Sequence, residues 1–495
     1  MAKKKLNKKV AIAGSIVLVL FALAAIWYIL YKMQGPQKFI DDGDAAMARG
    51  DAAAAKRDTV AAKEEYESAI KQYARALGRA KKDIELQKKI LFKLSDTHIR
   101  NNDWRKAMAC WSKIKTIDTS ETVSRTKLLD FYYDMADSGQ GGAWKIVLTS
   151  VDELLHLEPK DAKLYLIKGR AKLELAKGGG VVDRIEALNE TIDILKKAQE
   201  LAPSNPNVYR YLAEAVAAKG EEFASKGSLD EKTKAQKQAQ KLLEKAVSIA
   251  PKDPNSYIQL LNTKLLATQD IKQFGALEPD YIALTKKFPE SSDVFATLVM
   301  YYNYYDLRKQ DVSDIDKALK AAQHAQELSP QSAKHAIAAA DMYYRKGSLT
   351  KDDKYLQKAV DTAKNALTLP SAMDTQGSRE YANKMNKLSL NTFLAYRYIE
   401  RILDLPANAS KQQKDALIAE AEQAVHELSQ IWGSGEQPYV IEAEGMLAYA
   451  KGDSAEGIRK MYTAYQQLKQ SDQKGQDAQL GQLSYVLARA FEKSS

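Results

Sequence analysis

One phrase recurs along this 495-residue chain: an Ala-rich amphipathic stretch closed by a proline. It reads DELLHLEP to Pro159, KKAQELAP to Pro203, EKAVSIAP to Pro251 and ALTKKFP to Pro289, then QHAQELSP to Pro330, KNALTLP to Pro370 and RILDLP to Pro406. The prolines stand 36 to 48 residues apart. Proline lacks an N–H and disfavours helix in the residue before it, so each phrase reads as the last turns of a helix. A single compact core stops growing at roughly 250–300 residues. A longer chain with a recurring unit is built instead from units that pack on their neighbours. Ala, Leu, Lys, Glu and Gln dominate and alternating Val/Ile/Thr runs are scarce, so the expected class is all-α.

Each phrase is preceded by a second helical pattern of large residue, Leu, small residue, large residue. Tyr209, Leu212, Ala213 and Val216 lead to Ala239, Leu243, Ala246 and Pro251. Phe295, Leu298, Val299 and Tyr302 lead to Ala318, Ala322, Ala325 and Pro330. Leu94, Ser95 and His98 lead to Ala107, Trp111 and Ile114. Gly43, Gly50, Asp51, Ala69, Tyr73 and Ala76 mark a first unit, and Gly445, Gly452, Asp453 and Ala464 a late one. This pattern resembles the tetratricopeptide repeat (TPR), a helical hairpin of about 34 residues. The resemblance covers residues 39–495. It implies a right-handed superhelical solenoid of TPR-like hairpins. Every proline interval exceeds the family's length, and the excess is expected mostly in the turn between the two helices, at Lys177–Asp183, Gly227–Lys232 and Gly347–Asp353. Residues 52–65 lengthen the first unit.

Residues 10–31 carry no charge and are long enough to cross a bilayer as one helix. Lys3, Lys4, Lys5, Lys8 and Lys9 precede them, and Trp27, Tyr28 and Tyr31 close them. The positive-inside rule then puts the N-terminus in the cytoplasm and the repeats across the membrane. Ala22-Leu23-Ala24 resembles a signal-peptide cleavage site, but the apolar run continues to Leu30, which favours an uncleaved anchor. Of the net charge of +10, seven positive charges lie in residues 1–38, so the pI does not signal a nucleic-acid-binding face. The expected organisation is a basic tail over 1–9, a transmembrane signal anchor over 10–31 and a juxtamembrane linker over 32–38. A TPR-like solenoid with insertions then spans 39–370, a divergent helical hairpin 371–435, and a C-terminal repeat with a capping helix 436–495.

No catalytic signature stands out, so the chain is not expected to be an enzyme, and no cofactor or small-molecule substrate is indicated. The five histidines lack metal-ligand spacing. Cys110 is alone, which excludes an intrachain disulfide and a cysteine metal site. Gly178-Gly179-Gly180 lacks the Lys-Ser/Thr of a phosphate loop and reads as a connector. The resemblance instead implies that the first helix of each hairpin lines a groove for other proteins. It places Lys163, Arg170, Arg210, Glu214, Asn255, Asn262, Asn303, Tyr304, Asp341, Tyr344 and Arg345 on that groove. Asn bonds both ways to a peptide backbone, and Tyr adds contact area with a polar tip. At the positions of the family's chaperone-tail clamp stand Leu166, Arg170, Tyr211, Asn255 and Gln259, which disfavours that ligand. The expected function is a membrane-anchored scaffold for envelope assembly or protein retention. The alternative is an organelle-surface receptor that binds precursor proteins for import.

Overall fold

The computed structural model describes residues 35–178, 182–268, 270–309, 311–373, 377–406, 408–432 and 437–470, with Leu483 and Leu487. The tail, the expected anchor over 10–31, Gly179, Gly180 and most of the last helical pattern lie outside the described residues. Among the described residues, no helix is long and apolar enough to cross a membrane.

All regular structure among the described residues is helical. The helices are α1 Pro36–Ala55, α2 Thr59–Ala80, α3 Ile84–Arg100, α4 Trp104–Ile117, α5 Val123–Asp137, α6 Ala143–Leu157 and α7 Ala162–Lys177. They continue with α8 Arg184–Leu201, α9 Pro206–Ser225, α10 Leu229–Ile249, α11 Pro254–Ala267, α12 Ile271–Gly275, α13 Glu278–Lys287 and α14 Ser292–Lys309. The last are α15 Ile315–Leu328, α16 Ala333–Thr350, α17 Asp353–Ala366, α18 Glu380–Leu403, α19 Lys411–Trp432, α20 Pro438–Lys451 and α21 Ser454–Gln470. The chain forms two compact units, Met1–Phe131 and Tyr132–Ser495, divided within α5. In the first, α1 packs on α2 and α3 on α4; in the second, α7/α8, α9/α10, α14/α15, α16/α17, α18/α19 and α20/α21 form the hairpins. Each second helix also packs on the first helix of the next hairpin, as α8 does on α9 and α15 on α16.

The hairpins close through small residues. Each second helix carries a buried triad spaced i, i+4, i+7, the spacing that aligns side chains on one helix face. Ala69/Tyr73/Ala76, Val147/Val151/Leu154, Thr191/Leu195/Ala198, Ala239/Leu243/Ala246, Ala318/Ala322/Ala325 and Ala359/Val360-flanked Ala363 with Ala366 are nearly solvent-free. Opposite them the first helix supplies Gly or Ala. A Cβ on Gly43 would stand 2.6 Å from the Tyr73 ring, and one on Gly50 would stand 2.6 Å from the Tyr66 ring. In the last described hairpin the two backbones themselves touch: a Cβ on Gly445 would meet the Met461 nitrogen at 2.8 Å, and one on Gly457 the Tyr449 nitrogen at 2.7 Å.

Five of the seven phrase-closing prolines follow one repeated backbone geometry, whereas Leu369 before Pro370 is extended, with φ −76° and ψ 145°. Glu158, Ala202, Ala250, Phe288 and Ser329 each precede a proline with φ between −125 and −138° and ψ between 64 and 72°. The next helix is then capped by Asp161, Asn205, Asp253 or Ser332, whose side chain accepts from a first-turn N–H. Three of these turns are also tied by a tyrosine six residues after the proline. Tyr165, Tyr209 and Tyr257 donate to the carbonyls of Pro159, Pro203 and Pro251 at 3.2, 2.9 and 3.4 Å.

Of the three expected loops, Lys177–Asp183 lies between the end of α7 and the start of α8, and the other two are partly helical. At Gly227–Lys232, α10 already begins at Leu229, and at Gly347–Asp353, α16 runs on to Thr350. The extra residues mostly lengthen paired helices. The cause is again close approach, because a Cβ on Gly220 would lie 2.8 Å from Ala235, and one on Gly347 2.8 Å from Leu356. The stretch 371–435 folds as α18 and α19, packed against each other. Asn383 and Asn386 donate from α18 to the carbonyls of Pro370 and Ser371, at 3.2 and 2.8 Å, and so fix its entry.

Two histidines sit in this core. His98 is 7% exposed and His335 is 6% exposed, and burial lowers the pKa of both. The unfolded chain therefore takes up protons first. Their stabilisation is complete above the ordinary histidine value of about 6.5 and is lost as pH falls from there toward the lowered folded values. The melting temperature is expected to fall between pH 7.5 and 5.5, and His98→Leu with His335→Leu should flatten that dependence. An unchanged slope in calorimetry would remove these residues as its cause. The helix contacts make an opposed pair of glycine predictions. Gly445→Ala should destabilise by about 1–3 kcal/mol through overpacking. Gly78→Ala, in a helix with open space around it, should stabilise by about 0.5–1 kcal/mol in denaturant titration.

Candidate functional site

The groove residues expected from the sequence lie on the first helices α7, α9, α11, α14 and α16. Many of them are held by the neighbouring hairpin. The Arg170 guanidinium lies 5.2 Å from the Tyr133 ring centre, 5.4 Å from Trp144 and 5.2 Å from Tyr211. It also donates to the Tyr133 hydroxyl and to Asp137. Burial opposes the charge on Arg170, but Tyr211, Tyr133 and Asp137 hold it charged. Arg170 thus cements α5, α6, α7 and α9 from within the second unit.

The same device continues along the chain. Arg210 donates to Gln259 of α11 at 3.1 Å and to Asn207 at 2.9 Å. Glu214 pairs with Lys177 at 2.7 Å, linking α9 to α7. Asn262 accepts from the Tyr281 hydroxyl at 3.4 Å. Arg345 of α16 donates to Asn303 of α14 at 2.6 Å. Tyr344 donates to Glu400 of α18 at 2.6 Å, and Arg397 lies 3.6 Å over the Tyr344 ring while pairing with Glu400 at 2.9 Å. Such cation–π contacts contribute about 0.5–2 kcal/mol, more where water is excluded.

The residues therefore sort into two groups. Arg170, Arg210, Glu214, Asn303, Tyr344 and Arg345 form a seam that joins successive first helices, while Asn262 is held by Tyr281 of α13. Lys163, Asn255 and Tyr304 are exposed beside it, Tyr304 by 45%. Asp341 lies between the groups. Burial pushes its carboxyl upward, against the pull of Arg345 and Arg397. Tyr133, Trp144, Gln259, Arg397 and Glu400 complete the seam and were not anticipated. For all but Trp144, which lies on the second helix α6, the only sequence signal is a polar or aromatic residue on successive first helices.

Among the described residues, no group of three or more His, Cys, Asp or Glu side chains is placed to hold a metal ion. Burial pushes the half-buried Cys110 thiol up to about 11, which leaves little thiolate at neutral pH.

No family model and no curated protein matches the chain. Similar solved structures are helical-repeat proteins of low identity. A tetratricopeptide repeat protein from Parabacteroides merdae is 10% identical, with 61% of this chain and 99% of that one covered, at a TM-score of 0.41. A human IFIT1 dimer with PPP-AAAA is 13% identical over 83% of this chain and 88% of that one, at 0.33. The MamA protein is 18% identical over 50% and 94%, at 0.27. At these TM-scores the likeness does not set the family of the chain.

Proposed function

We propose that this chain is a membrane-anchored scaffold of the tetratricopeptide-repeat kind that holds other proteins and catalyses nothing. The observation that carries the reading is the first-helix seam. It fixes successive hairpins to one another through buried Arg and Tyr contacts, and it leaves Tyr304, Asn255 and Lys163 exposed along its length. A rigid row of that kind offers contact area and two-way hydrogen bonding at low ordering cost. The Gly- and Ala-mediated hairpins support the TPR assignment. The uncharged run over 10–31 and its lysine flank support an uncleaved anchor with the N-terminus in the cytoplasm and the repeats beyond the membrane. In a bacterium that space is the periplasm, where the scaffold would serve envelope assembly or protein retention.

Crosslinking mass spectrometry on the full chain in native membranes tests the binding role, and protease protection tests the orientation. A specific set of envelope proteins should be recovered, with the repeats cleaved by protease added to spheroplasts and shielded in inside-out membrane vesicles. Repeats cleaved from the cytosolic side would instead favour an organelle-surface receptor for precursor proteins. Two variants separate binding from architecture. Tyr304→Ala should reduce partner recovery and leave the melting temperature unchanged. Arg345→Ala should cost about 1 kcal/mol of stability through its lost bond to Asn303.

A further inference from the structure

The helices α17, α18 and α19 enclose a cleft of about 440 Å³ that is separate from the seam. It has an ion pair at each end. Lys364 meets Glu420 at 2.8 Å, and Lys387 meets Glu427 at 3.9 Å. Leu367 and Leu394 give its lining apolar surface, and Asn391 and Gln423 add amide side chains. Asn391 is 3% exposed and donates to the Lys387 carbonyl at 3.0 Å, which fixes its side-chain amide at the cleft. Tyr398 also lines the cleft and is 3% exposed, and its hydroxyl is buried beside Lys364 and Glu420 without a hydrogen bond of good geometry to either. A buried unpaired hydroxyl costs about 1–3 kcal/mol, so an occupant that accepts from it is favoured.

A crevice of about 480 Å³ lies at the matching place among α8, α9 and α10, lined by Ile192, Val216 and Phe223. None of its lining side chains carries a buried, unpartnered polar atom. The α17–α19 cleft is therefore not just the gap that any two stacked hairpins leave.

We propose that this cleft binds a short zwitterionic peptide of about three residues, held by both of its charged ends. The dimensions argue for that length. Glu420 and Glu427 are seven residues apart on α19, which is about 10 Å at the helical rise. Three extended residues span about 10 Å. The ligand carboxylate meets the Tyr398 hydroxyl and the Lys364 ammonium, which carries three donors. The ligand ammonium meets Glu427, the acid of the looser pair. Asn391 and Gln423 bond the peptide groups between, and the central side chain rests on Leu367 and Leu394.

Calorimetric titration of the full chain in detergent, with Ala-Leu-Ala as the probe, tests this. Saturable binding is expected, weakened at least about tenfold for N-acetyl-Ala-Leu-Ala-amide, which lacks both charges. Tyr398→Phe keeps the packing and should weaken Ala-Leu-Ala about fivefold. Glu427→Gln should weaken peptides with a free amine and leave N-acetylated ones unaffected. No saturation by about 10 mM, equal binding of the capped peptide, or unchanged affinity in both variants would overturn the proposal.

Discussion

Everything in this chain depends on how closely the two helices of a hairpin approach. An amphipathic helix of ordinary length cannot bury its apolar face alone, and here it does so by laying small residues against a partner. Gly43 under Tyr73, Gly347 under Leu356 and Gly445 against Gly457 set the separation of the axes. Once that is fixed, the triads Ala69/Tyr73/Ala76 and Ala239/Leu243/Ala246 fall where they are almost solvent-free. The helix lengths follow too. An inserted stretch extends both helices as long as a small residue keeps them in contact, as Gly220 does against Ala235.

The second constraint is the turn between hairpins. The residue before the proline adopts nearly the same φ and ψ in five of these turns, at Glu158, Ala202, Ala250, Phe288 and Ser329. Proline removes the option of continuing the helix, and an Asp, Asn or Ser cap starts the next one. Tyr165, Tyr209 and Tyr257 then tie the turn to the new helix. A fixed turn passes a fixed orientation to the next hairpin, which lets Arg345 reach Asn303.

The repeat was legible because its signals are local. Spacing, small residues and prolines are properties of a short window, and Ala107, Trp111, Ile114, Ala318 and Ala325 are buried as their positions imply. The candidate face was legible only in part. Position along a first helix says which side a residue faces, but not whether a neighbouring hairpin supplies its partner. Arg170 read as a ligand-binding charge and is enclosed by Tyr133, Trp144 and Tyr211, which come from three other helices. Two of the three turn insertions were misplaced for a related reason, while Lys177–Asp183 does separate α7 from α8. Gly227 and Gly347 are punctuation in sequence terms, yet Gly347 is a helix–helix contact. The cleft beside Tyr398 gave no sequence signal, because its walls come from residues as far apart as Lys364 and Glu427.

The central claim is that the exposed row beside the seam is where other proteins are held. Site-specific photo-crosslinking in native membranes tests it most directly. A photoreactive side chain placed at Tyr304 or Asn255 should yield discrete adducts with protein partners. The same group at Lys245 or Lys320, exposed on the second helices α10 and α15, should yield none. Adducts of equal yield from Lys245 and Lys320, or none from Tyr304 and Asn255, would contradict it.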